Sequence, residues 1–317
     1  MTNKEVYINF CSIEKEIPIF LQPWWLDAVC NDNWDVVLVQ KGQHIHAAMP
    51  YSLSHNGRYS MQPMLTQFLG PYIKYPDDQK YATRLSFEKK TMEQLINSLP
   101  NFAYFKQNFS PTFVNWLPFY WNGFKQTTRY TYIISKLFDS ASVWREMAGS
   151  IRRNIQKAKK ELTVSLSEDI EIFYALNKKT FERQEKKIPY PFDLVRAIDT
   201  ACLEHGVRKI YMAYDSEGQL HAAIYVVFDS NTAYYLMGGS DPELRSGGAT
   251  ALLMWTAIQD ALQMNLDFNF EGSMIKPIER YFSSFGSVQQ QFFTIEKDQR
   301  SLPVKFLSCL YRSIKEK

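Results

Sequence analysis

The chain has 317 residues, of which 45% are apolar, 22% charged and 15% aromatic, and its formal charge is +3. That balance excludes wholesale disorder and a globally basic nucleic-acid binder, and the length suggests two domains. No apolar run reaches the ~18–20 residues of a membrane span, so no integral membrane segment is expected. Cys11, Cys30, Cys202 and Cys309 are dispersed and make no Cys-x-x-Cys pair. Core-filling thiols in a reducing cytoplasm are the expectation, and the start of the chain shows no apolar signal core.

Taken in order, Glu5–Phe10 reads as a strand. Pro23–Cys30 reads as a helix, with Pro23 in its first turn and Trp24, Trp25 and Leu26 as apolar anchors. Strands are expected over 35–40 and 44–53, then an ordered loop region rich in Gly, Pro and Tyr over 56–80. A short helix over Lys89–Ser98 precedes strand-like pieces at 102–107, 112–116 and 129–135. Asp139 can cap one helix running to about Leu162, because Trp144, Met147, Ile151, Ile155, Ala158 and Leu162 recur every three or four residues. A strand at 163–167 leads to helices at 168–184 and 193–204, separated by Pro189-Tyr190-Pro191. Strands at 207–214, 219–228 and 231–237 follow, then a Gly-rich loop over 238–248 and a helix over 249–264. The chain closes with a strand at 267–271, a helix at 276–284, a strand at 289–295 and a terminal helix at 301–317.

Two segments look alike. Lys41-Gly-Gln is followed by His46-Ala47-Ala48, and Glu217-Gly-Gln by His221-Ala222-Ala223; each sits between two strand-like runs. Each half also closes on a Gly–Phe turn and an aromatic strand, at Gly123-Phe124 and at Phe285-Gly286. Duplication is the better reading of that matched order. It gives an expected division into residues 1–135 and 136–317, with the terminal helix packing back on the first unit.

The order of elements in the second half resembles the GNAT acetyltransferase superfamily. Ser150-Ile-Arg-Arg-Asn-Ile-Gln-Lys-Ala-Lys-Lys, Gly239-Ser-Asp-Pro-Glu, Phe268-Asn-Phe-Glu-Gly-Ser and Tyr281-Phe-Ser-Ser-Phe-Gly286 resemble a narrower group. Ala48-Met-Pro-Tyr and Gln62-Pro-Met-Leu-Thr-Gln-Phe-Leu-Gly70-Pro join them in the first half. That group is the tandem-GNAT proteins related to FemAB/FemX and to the BioF2-like acetyltransferase domain. The resemblance implies an α/β (α+β) fold of two GNAT-like units, each a mixed sheet flanked by helices. It implies transfer of an acyl or acetyl group from a carrier-bound donor, acyl-CoA first, to an amine, with no tightly bound cofactor. Fem-type aminoacyl transfer from tRNA to a cell-wall precursor is an alternative, as is a non-catalytic module binding a nucleotide-sugar or other anionic ligand. An acyl carrier protein is a further candidate donor. The chain departs from the family twice. It has no room for the Fem helical arm, and Arg245-Ser-Gly-Gly-Ala249 matches the acyl-CoA signature with its first Gly one place early.

Four groups of residues can carry chemistry. Arg245, Ser246, Gly247, Gly248, Ala249 and Thr250 lie where a loop opens a helix, and backbone N–H groups there can bind a carrier phosphate. The bland alternative is a plain Gly-rich turn. Arg152, Arg153 and Lys157, with Lys159 and Lys160, concentrate positive charge without an intervening acid, which suits a polyanion or a solvated helix face. Tyr190, between two prolines, either covers the acceptor or packs on the core. Leu266, Phe268 and Phe270 alternate with Asp267, Asn269 and Glu271, so the polar set is expected to line a cleft. Glu271 is then a candidate general base, and Tyr281 a proton donor or orienting group. Otherwise Glu271 is a strand-end carboxylate bonded to a backbone N–H, Lys276 or Arg280. His44 and His46 have no third ligand nearby, so no metal site is expected.

Overall fold

The computed structural model describes residues 1–42, 44–244, 248–272 and 274–305. In chain order the elements are α1 (Asn3–Ile13), α2 (Pro23–Cys30), β1 (Trp34–Lys41), β2 (His44–Ser52), β3 (Tyr59–Ser60), β4 (Tyr72–Ile73), α3 (Tyr81–Ser98), β5 (Tyr104–Asn108), α4 (Leu117–Trp121) and β6 (Lys125–Ile134). Then come α5 (Ser140–Glu146), α6 (Gly149–Glu161), β7 (Thr163–Ser167), α7 (Ile170–Glu182), α8 (Phe192–Glu204), β8 (Arg208–Tyr214), β9 (Leu220–Phe228), β10 (Thr232–Ser240), α9 (Ala249–Gln263), β11 (Asp267–Asn269), α10 (Lys276–Ser283) and β12 (Val288–Asp298). The fold is mixed α/β, with helices flanking sheets. Among the described residues no helix is long and apolar enough to cross a membrane. The expected terminal helix lies mostly outside the described residues.

Two compact units emerge, with bounds that differ from the single cut expected near residue 136. One contains Met1–Ile13, Cys30–Thr128 and Phe292 onward; the other contains Glu14–Val29 and Arg129–Gln291. Burial explains the exchange. Ile17, Ile19, Phe20 and Leu21 are buried, and the Phe20 ring sits 4.9 Å from Tyr234 within the second unit. Phe293 and Ile295 belong to the core of the first.

In the first unit, α1 corrects the strand expected at Glu5–Phe10. Thr2 and Glu5 form a reciprocal cap: the Thr2 N–H donates to Glu5 at 2.7 Å and the Glu5 N–H donates to the Thr2 hydroxyl at 3.2 Å. Tyr7 then buries on one helix face. The strand expected at 112–116 is also absent, because Ser110 and Thr112 hydroxyls bond each other at 2.9 Å and local turns win over a ladder. Strands β1, β2 and β4 form one sheet, and β3, β5 and the end of β12 pair alongside an aromatic core that includes Phe105, Phe109, Phe119 and Phe124.

In the second unit the strands run β6–β11–β10–β9–β8–β7, with β10 and β11 parallel and the other pairs antiparallel. Residues 221–227 of β9 are buried without a break, as a strand covered on both faces requires. Ile151, Ile155 and Ala158 of α6 join Leu252, Trp255 and Ile258 of α9 in the core on one face. On the other, Phe173 of α7 lies 5.6 Å from the Tyr225 ring. The single helix expected from 139 to 162 is two. Met147 and Ala148 are extended (ψ 142° and 138°), and the Ala148 N–H donates to the Ser284 carbonyl at 2.9 Å. The apolar stripe continues across the break, so its spacing could not reveal it. Asp139 does cap α5, accepting from the Ser142 N–H at 2.7 Å.

The two look-alike segments are both hairpins. Val39 pairs with Ala47 and the register shifts at the next residue; Ala213 pairs with Ala222 and the register shifts at the next residue. The bulges fall at equivalent places.

Candidate functional site

The site grows from the divergence of two parallel strands. The last pairing of β10 with β11 is Tyr234 with Asn269; β10 then runs on to Ser240 while β11 ends. The chain leaves β11 through a tight turn in which Glu271 and Gly272 both take left-handed backbone, at φ 60° and 59°. Such a conformation costs free energy in a non-glycine residue and tends to mark functional places. Gly272 is obligatory: a Cβ there would sit 2.5 Å from the Thr131 Cα and closer still to the Tyr130 carbonyl.

Glu271 is therefore displayed inward rather than along the strand. Its Oε1 is enclosed and has no hydrogen-bond partner among the described residues. Desolvation pushes its carboxyl well above the ordinary carboxylate range. No pairing with Lys276 or Arg280 occurs among the described residues. Tyr281, on α10, likewise has an enclosed hydroxyl without a partner, and burial raises its phenol. Its ring packs 5.1 Å from Phe285.

Tyr235 links these groups. It sits where the β9–β10 register shifts, a bulge of the kind that re-aims side chains. Burial, then the charge of Glu271, raises its phenol, and Tyr235 in turn acts on Tyr281 and Tyr190. Tyr190 donates to Asn177 Oδ1 at 2.9 Å, and Asn177, 1% exposed, donates to the Gly238 carbonyl at 2.7 Å. The charge of Glu271 is thus felt by Tyr190 and Tyr235, and Tyr235 in turn by Tyr281. Sequence reasoning named Glu271, Tyr190 and Tyr281 but missed Tyr235 and Asn177; the Gly238-Gly239 pair beside them was the available signal.

The expected polar cleft face of β11 is corrected. Asp267 accepts from the Lys136 N–H at 2.8 Å, and Asn269, 2% exposed, accepts from the Thr131 hydroxyl at 2.6 Å. Both are internally bonded, and Glu271 alone of the three presents an unmet oxygen.

A cavity of about 330 Å³ adjoins Tyr281. Gly248, Ala249 and Thr250 at the start of α9, Asn154 of α6, Ser240 and His221 line it. Gly248 precedes α9, and the N–H groups of a helix's first turn have no acceptor within the helix. They suit a phosphate-bearing carrier. Gly248 also has a packing role: a Cβ there would lie 2.9 Å from the Asn154 carbonyl carbon and nearer its oxygen. Arg245, Ser246 and Gly247 lie outside the described residues. The acid on this wall, Asp241, is held below the usual range by a 2.7 Å ion pair with Lys179. His221 pairs with Asp215 at 2.9 Å.

The basic helix face is not brought to this cavity: Arg153 and Lys157 are exposed, Arg152 is half-buried, and Asn154 is the α6 residue in the lining. Burial pushes the Cys11 and Cys202 thiols up to about 12, which makes them poor nucleophiles. Among the described residues no cluster of His, Cys, Asp and Glu could hold a metal ion.

A sequence model of the acetyltransferase (GNAT) domain matches residues 145–272, which span α6 to the Glu271 turn. No curated protein matches the sequence. Solved structures do. FemX superposes with a TM-score of 0.66 at 13% identity, covering 92% of this chain and 96% of its own. L-PGS from Bacillus licheniformis gives 0.53 at 11% identity, covering 89% and 90%. A tandem GNAT protein from the clavulanic acid biosynthesis pathway gives 0.50 at 9% identity, covering 92% and 93%. Residues 145–272 match the GNAT acetyltransferase domain, on a chain that shares the fold of FemX and of a tandem GNAT protein.

Proposed function

We propose that the second unit is an N-acyltransferase centre that moves an acyl or acetyl group from acyl-CoA to an amine. One observation carries the reading: Glu271 offers an enclosed, unbonded carboxyl oxygen that acts on Tyr235, while Tyr281, whose enclosed hydroxyl is likewise unbonded, shares a cavity with the start of α9. The acetyltransferase domain match over the same residues supports it. Helix α9 and the Gly248–Thr250 wall would hold the donor's phosphates. The amine nitrogen attacks the thioester carbonyl carbon, forming the C–N bond, and the C–S bond breaks. Glu271 takes the amine proton, Tyr281 gives one to the departing sulfur, and the proton held by Glu271 then passes through water to the Tyr281 phenolate, which restores both groups. A carboxyl raised by burial is suited to accepting that proton near neutral pH. Most of the acceleration comes from positioning, with little covalent work for the protein. Tyr190, tied through Asn177 to β10, forms the acceptor-side wall.

The test is donor turnover. Acetyl-CoA and long-chain acyl-CoA are incubated with pooled amines, and free thiol and acylated products are measured. Amine-dependent thiol release supports the proposal. Release from aminoacyl-tRNA or acyl carrier protein alone would replace the CoA donor, and release from none would contradict acyl transfer.

A further inference from the structure

We infer that Thr131 and Asn269 are positioning residues that lock the turn presenting Glu271; the inference rests on the reading of Glu271 as the proton acceptor. The Asn269 Oδ1 accepts two hydrogen bonds at once, from the Thr131 hydroxyl at 2.6 Å and from the Glu271 N–H at 2.8 Å. Thr131 is fully buried and Asn269 2% exposed, so neither bond competes with water. They join two strands: Thr131 is on β6, and its neighbour Tyr132 accepts the Phe270 N–H at 3.0 Å, which fixes β11 against β6 up to the turn.

The lock answers a specific physical need. Glu271 holds left-handed backbone without being glycine, and nothing in its own side chain stabilises that, since its Oε1 is unbonded. An amide oxygen two residues back supplies the missing bond in the manner of an Asx turn. Gly272 lets the chain pass flush against the Tyr130–Thr131 backbone. Without the lock the turn would relax to ordinary backbone and carry the carboxyl away from Tyr235. The sequence held the parts but not their pairing: Thr131 and Asn269 are 138 positions apart.

The test follows the carboxyl itself and needs no substrate. The carboxylic C=O band of Glu271 is assigned by infrared difference against Glu271→Gln and titrated in the intact chain. Thr131→Val, which keeps shape and removes the hydroxyl, should raise the ionisation constant of Glu271 about tenfold or more as the carboxyl gains solvent. Thr131→Ser should restore the original titration. Hydrogen exchange of the Glu271 amide in the unaltered protein gives a second measure that does not depend on any variant folding: it should be strongly protected. An unchanged titration in Thr131→Val, or a Glu271 amide exchanging as fast as an exposed loop, overturns the lock. Because both measurements run without donor or acceptor, their failure is distinct from an absence of thiol release, which would overturn the acyltransferase reading instead.

Discussion

Replacing Gly248 by alanine tests whether that glycine serves packing as well as the cavity. The added Cβ would lie 2.9 Å from the Asn154 carbonyl carbon, closer to its oxygen, and 3.2 Å from the Ala158 Cβ. Ordinary contact begins near 3.4 Å, so α6 and α9 must part by half an ångström or more. Both helices are seated in the core through Ile155, at 0% exposure, and Leu253, at 0%, so the strain has little room to dissipate. Overpacking of this kind costs about 1–3 kcal/mol. For a unit of this size that corresponds to a fall in Tm of roughly 2–12 °C. Thermal unfolding of Gly248→Ala, with Thr250→Ala as a control on the same wall, measures it. An unchanged Tm together with weakened binding of inorganic pyrophosphate would refute the packing role and leave Gly248 to ligand approach alone.

Three further outcomes are expected. Glu271 keeps its proton in the folded state at pH values where the unfolded chain has lost it, so it lowers stability increasingly as pH rises above the unfolded value of about 4.3. Glu271→Gln should therefore raise Tm at neutral pH and leave it unchanged below about pH 4, as denaturation scans across pH would read. Ile155→Ala removes a fully buried side chain from the α6 stripe and should cost about 2–5 kcal/mol in chemical denaturation. Because the basic face of α6 is not brought to the cavity, changing Arg152, Arg153 and Lys157 together to glutamine should leave CoA binding and Tm little changed; weaker binding with a flattened salt dependence would bring this face into the donor site.

Much of the architecture was legible wherever one signal acted alone. The hairpins beside His46-Ala47-Ala48 and His221-Ala222-Ala223 follow from strand runs around a Gly turn, and α8 from its proline start. The failures have causes. In α1, β-forming residues such as Val6 and Tyr7 masked a Thr2–Glu5 capping box. At Met147 and Ala148 the apolar stripe runs unbroken through two extended residues, and the Ala148 N–H is held by the distant Ser284 carbonyl. At the site, Glu271 was nominated by alternation, yet the same alternation put Asn269 in a cleft when Thr131 holds it in the interior. For Tyr235 the one local sign was the Gly238-Gly239 pair, which leaves room for its hydroxyl; the register shift beside it arises only when β9 and β10 pair.

The most direct measurement of the central claim compares turnover in the unaltered protein and in Glu271→Gln, using the acyl-CoA and amine that give thiol release. The expected result is a fall in kcat of roughly 10²–10⁴-fold with donor KM little changed, because the substitution keeps shape and removes the base. Turnover retained in Glu271→Gln, with the protein folded, would contradict it and remove Glu271 from the chemistry.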